Sequence, residues 1–136
     1  MISLKEAENF HGHLGPWLVL GLLAGEAALK KIKARKYFKL KVKVWGANQK
    51  PKSCLIDGLQ LSTGATYGKG NIQKIASGEI KIICHNLENN KKIKILLCKD
   101  LMKKIGSLKG HHDSEAFARK LYRAKPINIF HLTTGE

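Results

Sequence analysis

The chain has 136 residues, of which 43% are hydrophobic and 26% are charged, and its formal net charge is +15. This length and composition predict one soluble globular domain over residues 1–136 and exclude a disordered or a two-domain protein. The longest apolar run, Leu14 to Gly25, is too short to cross a bilayer and is closed by Glu26. With no signal-peptide pattern at the N-terminus, we expect a cytoplasmic protein without a membrane span.

The positive charge comes almost entirely from lysine, which supplies 22 of the 25 basic residues. Arginine, whose planar fork suits phosphates and base edges, is scarce, and the aromatic residues are not interleaved with the basic runs. We therefore interpret the lysines as a solvated surface and expect no nucleic-acid partner. The alternative, a nucleic-acid-binding protein, would show tight binding that falls steeply with salt.

The N-terminal third of the chain predicts two helices. Ser3 and Glu6 form a capping-box pattern, which predicts a short helix over Leu4–Phe10. Pro16 suits the first turn of a second helix that reaches about Ala34. This second helix is apolar nearly all round in its first half, so we expect it to be buried at the centre of the domain.

Gly21 and Gly25 lie four residues apart on the second helix. This spacing lets another backbone approach closely, and the partner is either another helix of the same domain or the same helix in a dimer.

The rest of the chain mixes strands and helices. Apolar alternation and flanking turn residues predict strands over Phe38–Trp45, Asn71–Ala76, Glu79–Cys84, Lys92–Leu97 and Ile127–Leu132. Helices are predicted over Lys52–Thr63, Lys99–Ile105 and Asp113–Ala124. Asp113 is the expected N-cap of the last one, and the preceding His111-His112 pair is expected to be solvated. The fold class is therefore α+β, with a mainly antiparallel sheet packed on a buried apolar helix.

Two histidines, His11 and His13, lie at the boundary between the first two helices. Neutral imidazole is a common zinc ligand and also transfers protons near neutral pH. The alternative is a pair of loop histidines that hydrogen-bond the backbone, because an H-x-H pair alone is a weak motif.

Cys54 falls in the first turn of a predicted helix, where unpaired N–H groups and the helix dipole favour a thiolate. Asp57, three residues later, shares its face, so a thiolate and a carboxylate can meet at one point. Cys54 and Asp57 are therefore the candidate catalytic residues. A buried structural cysteine beside a helix-start acid is the alternative.

A glycine-rich loop follows this helix. Its spacing and the helix before it differ from a phosphate-binding P-loop, so we expect a tight turn near the site rather than a nucleotide site. The candidate ligand-binding and loop residues of this segment are Gln60, Thr63, Gly64, Thr66, Gly68, Lys69, Gly70 and Asn71.

Together, F-H-G-H-L-G-P at residues 10–16 and C-x-x-D-G-x-Q-x-x-T-G-A-T-x-G-K-G-N at residues 54–71 resemble the FmdE family, which is named after a component of formylmethanofuran dehydrogenase. That family pairs F-H-G-H-x-C-P with C-x-x-D-A-x-Q and T-G-C-T-x-G-K-G-N. The resemblance implies an α-β-α-β-β-β core, often dimeric, with a cleft between the motifs that holds a metal, commonly zinc.

The resemblance assigns His11, His13 and Cys54 as metal ligands and implies a link to the molybdenum or tungsten enzyme that reduces carbon dioxide onto methanofuran in methanogenic archaea. Two departures from the family pattern bear on the metal site, because Gly15 and Ala65 stand where the family has cysteines. The chain also has no C-x-x-C pair, so we expect no zinc-finger module. A non-catalytic accessory subunit with a degenerate site, whose apolar helix builds a dimer, is the alternative function.

Overall fold

The computed structural model describes residues 1–135 as an α+β fold with a five-stranded sheet. The helices are α1 (Leu4–His11), α2 (Pro16–Lys31), α3 (Cys54–Thr63), α4 (Lys99–Gly106), α5 (Gly110–Leu121) and α6 (Pro126–Ile129). The strands are β1 (Leu40–Trp45), β2 (Ile72–Ile75), β3 (Lys81–Asn86), β4 (Lys92–Leu97) and β5 (Phe130–Gly135).

The sheet has the strand order β2-β1-β3-β4-β5. β1 pairs with β2 in parallel, whereas the other three pairs are antiparallel. The parallel pair requires a crossover, and α3 supplies it between β1 and β2. The order α2-β1-α3-β2-β3-β4 confirms the predicted α-β-α-β-β-β core.

Helix α2 is the centre of the hydrophobic core, as its apolar sequence predicts. Every residue from Pro16 to Leu29 is buried except Glu26. The crossing with α3 is so close that a Cβ added to Gly21 would lie 2.4 Å from the carbonyl oxygen of Leu55. A Cβ on Gly58 would lie 2.2 Å from the carbonyl oxygen of Leu18. The small residues therefore serve packing within the chain, which leaves α2 with no uncovered apolar face in the described part of the chain.

Several boundaries differ from the sequence-based predictions by two or more residues. Strand β3 runs over Lys81–Asn86 instead of Glu79–Cys84, and α2 ends at Lys31 instead of Ala34. Strand β1 begins at Leu40 instead of Phe38, and the chain turns just before this segment, at Tyr37, which has a φ of 89°. Helix α5 begins at Gly110 and Lys109 is its N-cap, so Asp113 lies in the first turn and does not cap the helix. Ile127 belongs to the short helix α6 rather than to a strand.

The outer face of the sheet carries most of the strand lysines. In β1 the buried and exposed positions alternate, with Lys41 and Lys43 exposed. Lys92 and Lys94 of β4 are exposed as well, as a solvated face requires. No helix in the described part of the chain has the length and apolarity needed to span a membrane.

Candidate metal centre

Three side chains from the two motifs converge where α1, α2 and α3 begin or end. Each of His11, His13 and Cys54 offers one nitrogen or sulfur atom, and these three atoms all lie within 4.8 Å of one another. Gly12 makes this possible: its φ of 106° ends α1 and turns the chain, so that both histidines reach one point. Cys54 arrives from the other side as the first residue of α3.

The geometry of this His/Cys group (His11, His13 and Cys54) is close to that of a metal site. The two imidazole centroids are 4.8 Å apart. In a tetrahedral zinc site with bond lengths of about 2.0–2.3 Å, neighbouring ligand atoms lie about 3.3–3.7 Å apart. A contraction of about 1 Å would bring the three atoms to those separations, and the exposed His13 has room to move.

Asp57 fixes the orientation of His11. Its Oδ2 accepts a hydrogen bond of 2.6 Å from His11 Nδ1, and the His11 side chain is only 11% exposed. Because Nδ1 of His11 is bonded to Asp57, Nε2 is the ring nitrogen that remains available to bind a metal ion. Metal-binding histidines are commonly held in this way, by a carboxylate on the other ring nitrogen.

Gln60 links this carboxylate to the glycine loop. Its Nε2 donates to Asp57 Oδ1 over 3.4 Å, and its Oε1 accepts a 3.1 Å bond from the backbone N–H of Tyr67. A chain of hydrogen bonds therefore runs from the loop through Gln60 and Asp57 to His11.

The electrostatics of Cys54 differ from the sequence-based expectation. Burial raises the pKa of the Cys54 thiol above its ordinary value, and the Asp57 carboxylate raises it further. Lys50 and a backbone hydrogen bond lower this pKa, but they are weaker than the two opposing effects. The helix start therefore does not produce a free thiolate here, because desolvation and the neighbouring negative charge oppose it.

Most of the predicted loop residues build the loop itself. The buried Thr63 donates to the carbonyl of Leu59 and accepts from the N–H of Ala65. Gly64 ends α3 with a φ of 77°, under the ring of Tyr37. These residues stop the helix and turn the chain.

The tip and end of the loop are held by its own polar groups. Lys69 Nζ donates to the carbonyl of Gly64 and to Thr66 Oγ1, whereas Asn71 Nδ2 donates to the carbonyls of Tyr37 and Leu40. Gly70 has a φ of 75°, and a Cβ on Gly68 would meet only Thr66 Oγ1, at 3.9 Å. Among the predicted loop residues that the structure describes, Gln60 is the one whose side chain bonds Asp57, the hydrogen-bond partner of His11.

Two neighbours of His13 carry information that the sequence did not reveal. The ring of His111, expected to be solvated, lies 6.4 Å from the ring of His13 between centroids, at an interplanar angle of 72°. A Cβ on Gly15 would lie 3.4 Å from Cε1 of His13, so the position of a family cysteine faces this ring. Ala65, the other departure, is fully buried in the core.

A cavity of about 620 Å³ opens elsewhere, at the end of the sheet. Its lining includes Leu96, Cys98, Met102 and His131 but none of the three members of the His/Cys group.

Comparisons with known proteins agree with the fold and the motifs. A family model described as FmdE, molybdenum formylmethanofuran dehydrogenase operon, matches residues 10–130. The crystal structure of a tungsten formylmethanofuran dehydrogenase FmdE-like protein from Syntrophus aciditrophicus superposes with a TM-score of 0.70 at 18% sequence identity. The match covers 98% of this chain and 70% of that protein. No curated protein matches the chain.

Proposed function

The chain belongs to the FmdE family, and on that premise we propose that it is a metal-binding protein that holds zinc through His11 Nε2, His13 and Cys54. The observation that carries this proposal is the convergence of two imidazoles and a thiol from distant parts of the chain.

The donor set suits zinc in particular. Nitrogen and sulfur ligands in tetrahedral geometry favour zinc over magnesium or calcium, which prefer oxygen. Three protein ligands leave a fourth position, where bound zinc supplies Lewis acidity. In the proposed site Asp57 holds the proton on His11 Nδ1, since one carboxylate oxygen is bonded to the imidazole and the other to Gln60. It therefore acts as the partner that positions His11.

The family also suggests a system in which the protein works. We propose a cytoplasmic role beside the molybdenum or tungsten subunits of formylmethanofuran dehydrogenase, in carbon dioxide reduction during archaeal methanogenesis, and a homodimer as the assembled form. The family description supports the link to formylmethanofuran dehydrogenase. The methanogenic setting and the homodimer are what the resemblance of the motifs implies.

A non-catalytic accessory subunit is the second candidate. The observation that favours it is the absence of two motif thiols, at Gly15 and Ala65, which leaves Cys54 as the one thiol of the two motifs. Turnover that depends on Cys54 in the assembled enzyme would exclude this candidate, whereas co-purification without such dependence would support it.

Elemental analysis of protein purified without tags or chelators tests the metal site. We expect about one zinc per chain in the wild type and none in Cys54→Ala, because the variant loses its only thiolate ligand. Cys98→Ala is the matched control, since Cys98 is also partly exposed but lies at the start of α4, outside the His/Cys group.

Absence of stoichiometric metal from the wild type would contradict the proposal. Equal metal content in the wild type and Cys54→Ala would remove Cys54 from the ligand set.

A further inference from the structure

Helix α5 places a third imidazole beside the His/Cys group. His111 lies in the first turn of α5, and the buried Ala118 and Leu121 anchor this helix in the core. The His13 and His111 rings are nearly perpendicular and 6.4 Å apart between centroids, an edge-on arrangement. The ring nitrogens lie on ring edges, so this arrangement is compatible with two imidazoles that turn toward a common point.

The distance can be compared with that in a zinc site. At a zinc–nitrogen bond of about 2.0–2.1 Å, each ring centroid lies about 3.2 Å from the ion, and two imidazoles on a tetrahedral ion have centroids about 5.2 Å apart. The His11–His13 pair, at 4.8 Å, already matches this value. The His13–His111 pair exceeds it by about 1.2 Å.

The start of α5 can accommodate the shift of about 1.2 Å that the His111 ring would need. His111 is exposed and follows Gly110, the first residue of α5, which has a φ of 76° that glycine adopts readily. A change of side-chain rotamer moves an imidazole by more than 1 Å without disturbing the buried end of α5.

We infer that His111 is the fourth ligand of the metal centre, an inference that rests on the function proposed above. It completes a set of three imidazoles and one thiolate, with a donor from α5 in place of the thiol that Gly15 lacks. With His111 bound, the four protein ligands would fill the site, so His111 would have to leave before a substrate or water could bind there.

Cobalt(II) is the probe for the test, because its visible absorption reports both ligand number and thiolate bonding. Wild type, His111→Ala and His112→Ala are titrated with cobalt in competition with a chromophoric chelator. We expect His111→Ala to lose at least the roughly tenfold in affinity that loss of even an outer-sphere partner costs, and to change the visible spectrum. His112→Ala, on the same exposed turn, is the control and should match the wild type.

A second substitution, which adds a thiol at position 15, tests whether cobalt binding can be restored to His111→Ala. A Cβ at position 15 lies 3.4 Å from the His13 ring, and Gly15 has an extended backbone that any residue adopts. Adding Gly15→Cys to His111→Ala should therefore restore cobalt affinity and intensify the thiolate-to-cobalt band.

The outcomes separate this inference from the proposed function. If His111→Ala binds cobalt with wild-type affinity and spectrum while Cys54→Ala does not bind, His111 is not a ligand and the metal site stands. If the wild type itself binds no cobalt, both the inference and the metal site are overturned. Unchanged thermal unfolding of His111→Ala would show that its effect is local.

Discussion

The crossing of α2 and α3 should be intolerant of a single methyl group. A Cβ on Gly21 would lie 2.4 Å from the Leu55 carbonyl oxygen, 2.7 Å from Gly58 Cα and 2.8 Å from the Leu59 nitrogen. All three obstacles are backbone atoms, so no rotamer change relieves them. Gly21→Ala therefore requires the two helices to separate by about 1 Å to restore ordinary contact distances.

The magnitude follows from two opposing effects. Overpacking against rigid neighbours costs about 3 kcal/mol, the upper end of the usual range. Replacing a helical glycine by alanine stabilises the helix by about 1 kcal/mol, because alanine has the higher helix propensity. The expected net loss for Gly21→Ala is about 2 kcal/mol in the free energy of unfolding, which for a domain of this size lowers the melting temperature by about 6–10 °C.

The separation should also disturb the proposed metal centre, because the carbonyl that meets the new methyl belongs to Leu55, next to Cys54. A displacement of about 1 Å is enough to loosen a site that depends on fixed ligand geometry. Metal affinity should therefore fall together with stability.

Urea unfolding measures the effect and can be followed by tryptophan fluorescence, to which the buried Trp17 contributes together with Trp45. The matched control is Gly106→Ala at the end of α4, where a Cβ meets nothing within 4 Å. It should leave stability unchanged or raise it by up to about 1 kcal/mol. If Gly21→Ala is as stable as the wild type, or if Gly106→Ala loses as much stability, the crossing of α2 and α3 has room for a methyl group.

Two further predictions concern single side chains. Asp57→Asn keeps the size of the carboxylate but removes the charge that holds His11, and it should weaken zinc binding about 10–100-fold in a chelator competition. Asp100→Asn, remote on α4, is the control, and equal affinities in the two variants would refute the role of Asp57. Burial raises the pKa of Cys84 from 9.0 to about 12, so its contribution to stability is complete below pH 9 and is lost as the pH rises toward 12. Above pH 9 the free energy of unfolding of the wild type should fall by about 1.4 kcal/mol per pH unit more steeply than that of Cys84→Ala, and parallel urea-unfolding curves would contradict this.

The elements that the sequence predicted well are those whose signals are local. The capping box of α1 forms as expected, with Ser3 Oγ bonded to the N–H of Glu6 and the Glu6 carboxylate bonded to the N–H of Ser3. The alternation in β1 reappears as alternating burial, because a strand with one buried face has a period of two. Such patterns depend only on residues that are close together in the sequence.

The elements that the sequence predicted poorly depend on distant residues. The proximity of His111 to His13 arises from the packing of α5 against α2, about a hundred positions apart in the chain, and no local motif marks it. Asp113 has the residue type of an N-cap, yet the helix starts three residues earlier, at Gly110. Local propensity is a weak guide where tertiary packing decides the boundary.

The electrostatics of Cys54 distinguish between its two candidate roles. As a free nucleophile it would need a lowered pKa, but burial and the Asp57 carboxylate both raise that pKa. The same carboxylate lies 2.6 Å from Nδ1 of His11, where it orients the imidazole for the ion binding that we propose. A bound divalent cation would offset both effects on Cys54, because it stabilises the thiolate directly and is itself attracted by the Asp57 carboxylate. The position of Asp57 is thus unfavourable for a cysteine nucleophile and favourable for a metal ligand.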